Sequence, residues 1–154
     1  MAVELSREKK NSMQQTIPNT NIVLEWGMRE PQPVSADFTE LCRHLLALGG
    51  QRVVVPPGSI FLKELLERGY AMNGTVKYRR GQQSDCHGNA IRYILRFPTH
   101  RMATGFALSD DGLWRRHSWV LSDRGHLIET TIPRLLYFGI VLSPEETTNF
   151  IEMA

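Results

Sequence analysis

The stretch RMATGFALSDDGLWRRHSWVLSDRGHLIETT, residues 101–131, predicts three antiparallel strands joined by two tight turns. Its β-prone runs are interrupted by DDG (110–112) and DRG (123–125). Such turn sequences are typical of hairpins, because glycine readily adopts the positive φ angles that hairpin turns need. The predicted strands of this antiparallel meander cover residues 101–109, 113–122 and 126–132.

Helical periodicity dominates the residues before this stretch. Apolar residues recur there at spacings of three and four, followed by glycine or proline as stop signals. The first predicted helix begins near Ser35 or Asp37 and ends at Leu48. The next two cover residues 59–68, with Ser59 as the N-cap, and 86–97, and a last short helix begins at Ser143. Further short strands are predicted over 22–26, 53–55 and 75–78, and the apolar run 135–142 is expected to be a strand or a buried turn of helix. In this order, helices come first along the chain, and the third helix is expected to pack on the antiparallel β-sheet that follows it. Such segregation of helices and strands indicates an α+β fold.

Composition indicates one domain and excludes several classes of protein. The chain has 154 residues, of which 42% are hydrophobic, and its net charge is only +2. We expect a flexible N-terminal arm over residues 1–21 and a single α+β domain over 22–154. Residues 1–10 lack the apolar core of a secretory signal, and no apolar run reaches membrane-spanning length. The two cysteines are expected to be reduced thiols in a cytoplasmic protein, with Cys42 buried on a helix.

Cys86 begins the third predicted helix, and this position favours a reactive thiol. The thiolate, not the thiol, is the nucleophile, and an unperturbed thiol has a pKa near 8.5. Exposed N–H groups and the helix dipole stabilise a negative charge at a helix N-terminus. Cys86 is therefore the candidate nucleophile.

His117 and Glu129 supply the other two groups that such a nucleophile needs. An imidazole takes the proton of the thiol, and a third polar group fixes the orientation of the imidazole. A hairpin centred near Arg124 would place His117 opposite Thr131, with Glu129 one diagonal step away on the same face of the sheet. The longer side chain of glutamate suits that distance.

These three residues lie in a pattern that resembles a known superfamily. The pattern is a cysteine at a helix N-terminus, a GFAL strand (105–108), an HSWV strand (117–120) and a strand that ends in an acid. It resembles the papain-like cysteine peptidases, and within them the transglutaminase-like branch, over Asp85 to about Thr131. The resemblance implies a papain-like core in which Cys86 is the nucleophile, His117 the general base and then acid, and Glu129 the orienting residue. The family more often has Asp or Asn at that third position.

Three further residues are candidates for binding the substrate or its oxyanion. The backbone N–H of Cys86 is the first expected donor to the oxyanion. A side chain from the loop upstream is the second, with Gln83 preferred over Gln82. Asn89 shares a helix face with Cys86, and Trp119 shares a strand face with His117, so both are expected near the substrate.

The expected function is a thiol-dependent hydrolase or acyltransferase acting on an amide bond. Peptidase, amidase, deamidase and transglutaminase-like activities all stay open. The substrate would be a peptide, a protein or a small amide, and no cofactor is expected. The oligomeric state is not predicted.

Three other interpretations compete with a thiol enzyme. The first is a non-enzymatic binding module on the same fold that uses Trp114, Trp119 and nearby arginines as its surface. The second is a zinc site formed by Cys86, His87, His117 and His126, which lack the usual close ligand spacing. The third is a nucleic-acid surface on the basic middle of the chain, which the balanced net charge disfavours.

Overall fold

The computed structural model describes the backbone of residues 22–24 and, in full, residues 35–56 and 61–153. The helices of these ranges are α1 (Ala36–Leu48), α2 (Leu62–Arg68), α3 (Cys86–Arg96) and α4 (Pro144–Met153). The strands are β1 (Ile22–Leu24), β2 (Arg52–Val55), β3 (Tyr70–Ala71), β4 (Val76–Tyr78), β5 (Arg101–Leu108), β6 (Leu113–Leu121), β7 (Leu127–Glu129) and β8 (Leu136–Val141). The α+β class is confirmed, and the predicted arm (1–21) lies outside the described residues.

The eight strands form one curled sheet rich in antiparallel pairs. Its main order is β1-β2-β6-β5-β8-β3, while β7 pairs with both β6 and β4. β5 is antiparallel to both β6 and β8. The expected antiparallel sheet is found in part, because β1–β2, β2–β6 and β4–β7 are parallel pairs. Turn sequences predict pairing only between strands that are consecutive in the chain. The strands β2 and β4 pair with strands that are distant from them in sequence.

The predicted register of the β6–β7 hairpin is confirmed. Val120 faces Ile128 and Leu121 faces Leu127. Strand β7 ends at Glu129, earlier than predicted, because the Glu129 carboxylate accepts a 3.0 Å hydrogen bond from the Thr131 backbone N–H and bends the chain there.

Strand β6 has a gap in its pairing on the side away from β5. β2 pairs with its first residues, Leu113 and Trp114, and β7 pairs with its last, Val120 and Leu121. Among the described strands, none pairs with residues 115–119 on this side. The N-terminus of α3 lies against this gap, since His87 contacts Ser118 there. The interrupted pairing therefore determines where the first turn of α3 meets the sheet.

The other helices begin at local capping signals. The Ser35 hydroxyl accepts a hydrogen bond from the Phe38 N–H at 3.1 Å and caps α1 where predicted. Ser143 and Glu146 bond each other's backbone N–H groups in a capping box that starts α4. Helix α2 begins at Leu62, later than predicted, after Phe61 in the left-handed region; Ser59, its predicted cap, lies outside the described residues.

Each face of the sheet carries its own apolar cluster. Helices α1 and α3 cover the face of Phe106 and Val120, and Cys42 is buried there as expected. Burial raises the pKa of Cys42 to about 12, against a smaller opposing effect of a backbone hydrogen bond. The opposite face holds Trp119 and Tyr137. No helix in the described ranges has both the length and the apolar character needed to cross a bilayer.

Two facing glycines allow the centre of the sheet to pack closely. Gly105 pairs with His117 on one side and with Gly139 on the other. A Cβ atom at Gly105 would overlap the carbonyl oxygen of Phe138, which is backbone and cannot move aside. We expect Gly105→Ala to lower the free energy of unfolding by about 2 kcal/mol, as overpacked cores do.

Urea denaturation measures this change. Gly74→Ala is the matched control, because a Cβ at Gly74 would lie 3.5 Å from its nearest neighbour, and its effect should stay within about 0.5 kcal/mol. Equal stability of the two variants would contradict the prediction.

Candidate active site

The thiol of Cys86 lies at the first residue of α3. Ser84, two residues earlier, has φ 58° and so turns the chain through the left-handed region before the helix begins. The Asp85 carbonyl accepts the first intrahelical bond, from Asn89 N–H at 2.8 Å. Cys86 is partly buried, which limits access of water to the thiol without closing it off.

His117 and Glu129 form a buried pair behind this thiol. The Nε2 atom of His117 lies 2.8 Å from Oε1 and 3.1 Å from Oε2 of Glu129. His117 is 1% exposed and Glu129 is 0% exposed. Because Nε2 faces the carboxylate, Nδ1 is the ring atom left for the thiol. The diagonal cross-strand contact expected from the sequence is present.

Other groups complete the hydrogen bonding of the Glu129 carboxylate. The Tyr137 hydroxyl donates to Oε1 at 2.7 Å, and the Thr131 hydroxyl donates to Oε2 at 3.0 Å. Burial raises the pKa of Glu129, but hydrogen bonding and charge from His117, with these donors, lower it to about 2. Burial and the Glu129 charge raise the pKa of Tyr137, which keeps this hydroxyl a donor. Glu129 is thus an anion held in one orientation.

The cysteine and the imidazole shift each other's pKa toward an ion pair. Burial raises the pKa of Cys86, but hydrogen bonding and charge from His117 and His87 outweigh it and lower the pKa to about 5. Burial lowers the pKa of His117, but hydrogen bonding to Cys86 and Glu129, with their charges, raises it above its ordinary value. Between these two values a thiolate faces an imidazolium, which is the reactive form of a cysteine nucleophile.

A second imidazole, that of His87, also acts on Cys86. Its Nδ1 lies 2.6 Å from the Ser118 hydroxyl, which in turn lies 3.0 Å from the Thr104 hydroxyl. The edge of the His87 ring packs on Phe150, with ring centroids 5.4 Å apart. These contacts hold His87 in place beside the thiol.

We expect His87→Gln to raise the pKa of Cys86 less than the loss of His117 does. Removing one of two nearby donors should move the midpoint of a Cys86 alkylation profile upward by about one pH unit. Alkylation with iodoacetamide across pH 4–9 measures the midpoint. Ser118→Ala should give a smaller change in the same direction, and an unchanged midpoint in His87→Gln would contradict this role.

The remaining predicted binding residues occupy different positions. Gln83 is exposed in the turn before Cys86, and its side chain makes no hydrogen bond with the described residues. Asn89 is buried, and its amide bonds the backbone of Gln82 at 2.8 and 2.9 Å, so it holds the loop that leads to Cys86. Trp119 is 0% exposed and packs on the His117 ring at 6.0 Å, so in this structure it supports His117 and is closed to a substrate.

The sequence pattern did not identify three residues of the site. Tyr137 reaches Glu129 from another strand, Thr131 contacts it from two residues along the chain, and His87 was considered only as a metal ligand. The position of His87 next to Cys86 is a weak indication that it belongs to the site, because adjacent residues at a helix start can both face the same edge of a sheet. Nothing local marks Tyr137, which depends on where β8 pairs.

Two of the competing interpretations can be compared with the structure. Trp114 and Trp119 are both 0% exposed, so the surface that a binding module would build on them is absent. Trp114 instead donates its ring N–H to the Gly49 carbonyl at 2.9 Å. Within the described ranges, no three His, Cys, Asp or Glu side chains are arranged to hold a metal ion.

Comparisons with protein-family models, curated proteins and solved structures give no match to this chain. The chemistry of the site must therefore be argued from its geometry alone.

Proposed function

We propose that this chain is a thiol-dependent hydrolase or acyltransferase that acts on an amide bond. The observation that carries the proposal is the buried His117–Glu129 pair beside a partly buried Cys86 whose pKa is lowered to about 5. A purely structural ion pair would not need a neighbouring thiol at a helix N-terminus whose pKa that imidazole lowers. Strongly shifted pKa values of neighbouring groups are typical of catalytic sites.

The proposed reaction has two steps of acyl transfer. The Cys86 thiolate attacks the carbonyl carbon, so that a C–S bond forms and the carbonyl oxygen becomes an oxyanion. The His117 imidazolium then protonates the amide nitrogen, and the C–N bond breaks to leave a thioester on Cys86. In the second step His117 takes a proton from water or from an amine, which attacks the thioester and releases the thiol.

The helix start and the turn before it provide donors for the oxyanion. The backbone N–H of Cys86 belongs to the first turn of α3, where N–H groups have no partner within the helix. The Gln83 side chain, exposed just upstream, is the proposed second donor. Glu129 stays anionic throughout and stabilises the imidazolium, because its pKa of about 2 keeps it from taking the proton.

The topology supports the papain-like part of the proposal. A cysteine-bearing helix meets a sheet in which neighbouring strands carry a histidine and an acid, as in the transglutaminase-like branch that the sequence resembles. Assignment to that branch stays a proposal. A relative would also have to share the parallel pairing of β2 with β6 and of β4 with β7.

Acetylation of Cys86 by p-nitrophenyl acetate at pH 6 tests the proposal. Mass spectrometry of digested protein should show an acetyl thioester on Cys86 that forms and then decays, and His117→Ala should suppress it. The same reagent on urea-unfolded protein gives the reference rate. Acetylation of folded Cys86 no faster than that reference would overturn the proposed function.

A pool of synthetic peptide amides with a fluorescent amine then separates hydrolysis from transfer. New peptide ends indicate hydrolysis, and incorporation of the amine indicates transfer. The kcat/KM profile should rise with a midpoint near 5 as Cys86 ionises. It should fall again only above 6.5, because the pKa of His117 is raised from that value.

A further inference from the structure

A cleft of about 490 Å³ runs along α3 beside the site. Its lining includes Asn89 and Tyr93, which lie on the same helix face as Cys86, three and seven residues further on. At a rise of 1.5 Å per residue, these positions are about 5 and 10 Å from Cys86 along the helix axis. Cys86 itself does not line the cleft, but a peptide extends by about 3.3 Å per residue, so a few residues beyond the cleft would reach the thiol.

The charged residues that line this cleft are all arginines. Arg79, Arg80, Arg92 and Arg96 line it, and no carboxylate does. Of the four, only Arg92 pairs with a described carboxylate, that of Asp85 at 2.8 Å. Four positive charges with one counter-charge create a site for a ligand that brings its own negative charges.

The walls of the cleft are held in place by backbone bonds. The Arg79 N–H donates to the Glu129 carbonyl at 2.9 Å, and the Gly81 N–H donates to the Thr130 carbonyl at 2.8 Å. The arginine-bearing loop is thus tied to the strand that carries the orienting acid. Thr130, which also lines the cleft, is 1% exposed, and its hydroxyl has no partner among the described residues.

We propose that this cleft binds an acidic peptide segment of the substrate whose scissile amide lies at Cys86. The inference rests on the proposed function, because it assigns the substrate class of that same site. Glutamate and aspartate side chains fit the need, since a guanidinium binds a carboxylate through two parallel hydrogen bonds.

A single-stranded nucleic acid is the rival ligand, and the packing of two of the three aromatic residues that line the cleft disfavours it. Bases bind by stacking on open aromatic faces. Here Tyr93 and Phe97 pack on each other with centroids 5.0 Å apart, and Phe97 packs on His100 at 5.8 Å. The Arg96 guanidinium lies over the Phe97 ring, 5.5 Å from its centroid. These rings support the arginines and are not arranged as a row of stacking platforms.

Fluorescence anisotropy with the whole chain tests this inference. The probe is a fluorescein-labelled peptide of six glutamates, and its glutamine counterpart controls for the label. We expect the glutamate peptide to bind at least about tenfold more tightly, with an affinity that falls as salt is added. The double variant Arg80→Gln/Arg96→Gln should reduce its binding at least about tenfold. Arg124→Gln, an exposed arginine outside the cleft, is the control and should leave binding unchanged.

The outcomes separate this inference from the proposed function. Bound glutamate peptide should also protect Cys86 from iodoacetamide. Four results would each overturn the inference. The two peptides could bind equally, or the cleft and control variants could lose the same affinity. Labelled oligothymidylate could bind more tightly than the glutamate peptide, or the glutamate peptide could bind without protecting Cys86. If any of these results is found while Cys86 still reacts at low pH as expected, the inference fails but the proposed function stands. If the glutamate peptide binds but Cys86 titrates near the ordinary pKa of a thiol, the proposed function fails, and the peptide can then no longer be interpreted as a substrate.

Discussion

Replacing His117 by alanine should raise the midpoint of Cys86 ionisation by at least about two pH units. The wild-type midpoint is expected at about 5, and His117 is the larger of the two imidazole contributions that lower it. With a midpoint at 7 or above, the thiolate fraction at pH 6 falls from about 90% to about 10% or less. Ultraviolet absorbance of the thiolate measures this fraction directly, and the pH profile of iodoacetamide alkylation measures its consequence.

The absorbance measurement is needed because alkylation rates mix two effects. A thiolate of low pKa is less nucleophilic, so the rate ratio understates the change in ionisation. Cys42→Ser provides the background, although Cys42 should be silent, since burial raises its pKa to about 12. His44→Ala removes an exposed imidazole on α1 and is the matched control. A wild-type midpoint near 8.5, or the same midpoint in His117→Ala, would refute the ion pair.

Replacing Glu129 by alanine should lower the free energy of unfolding by about 3–5 kcal/mol. The substitution leaves a buried imidazolium and a buried tyrosine hydroxyl without their common partner, which is the more destabilising way to break a buried pair. Glu129→Gln should cost less, because the amide oxygen still accepts a hydrogen bond from Tyr137. Urea denaturation at pH 7 measures both variants, and Glu40→Gln, on the exposed face of α1, should stay within about 0.5 kcal/mol.

The pH dependence of this loss identifies the carboxylate as its cause. The pKa of Glu129 is lowered from 4.5 to about 2 on folding, so its contribution is present above 4.5 and is lost as pH falls toward 2. The lost contribution is on the order of 3 kcal/mol. A Cys86→Ser background removes the titration of the thiol. If the stability difference between the Cys86→Ser chain and the same chain carrying Glu129→Gln stays constant from pH 6 to pH 3, the assignment is wrong.

The hairpin register and the His117–Glu129 contact could be predicted because both depend on local sequence. The turn at 123–125 fixes which residues of β6 and β7 face each other, and the two-residue period of a strand fixes the face. Capping residues likewise mark the start of α1. In each case the deciding interaction joins residues close together in the chain.

The remaining parts of the site depend on contacts that no local pattern encodes. Tyr137 reaches Glu129 because β8 pairs with β5, and the sequence of β8 alone allows several partners. The parallel pairs of β2 and β4 were missed for the same reason. Trp119 was expected at a surface because alternation shows which residues share a face of the strand, but it does not show which face is covered.

The gap in the pairing of β6 has a consequence for the order in which the chain assembles. Its borders are β2, from the first half of the chain, and β7, which itself pairs with β4. Contacts between distant segments form slowly, because each closes a long loop. Helix α3 can have its full helical content before the gap exists, yet Cys86 then lacks the His117 imidazole, the larger of its two imidazole contributions. Full low-pH thiol reactivity is therefore a property of the completed sheet, and partly folded chains should carry a less reactive cysteine.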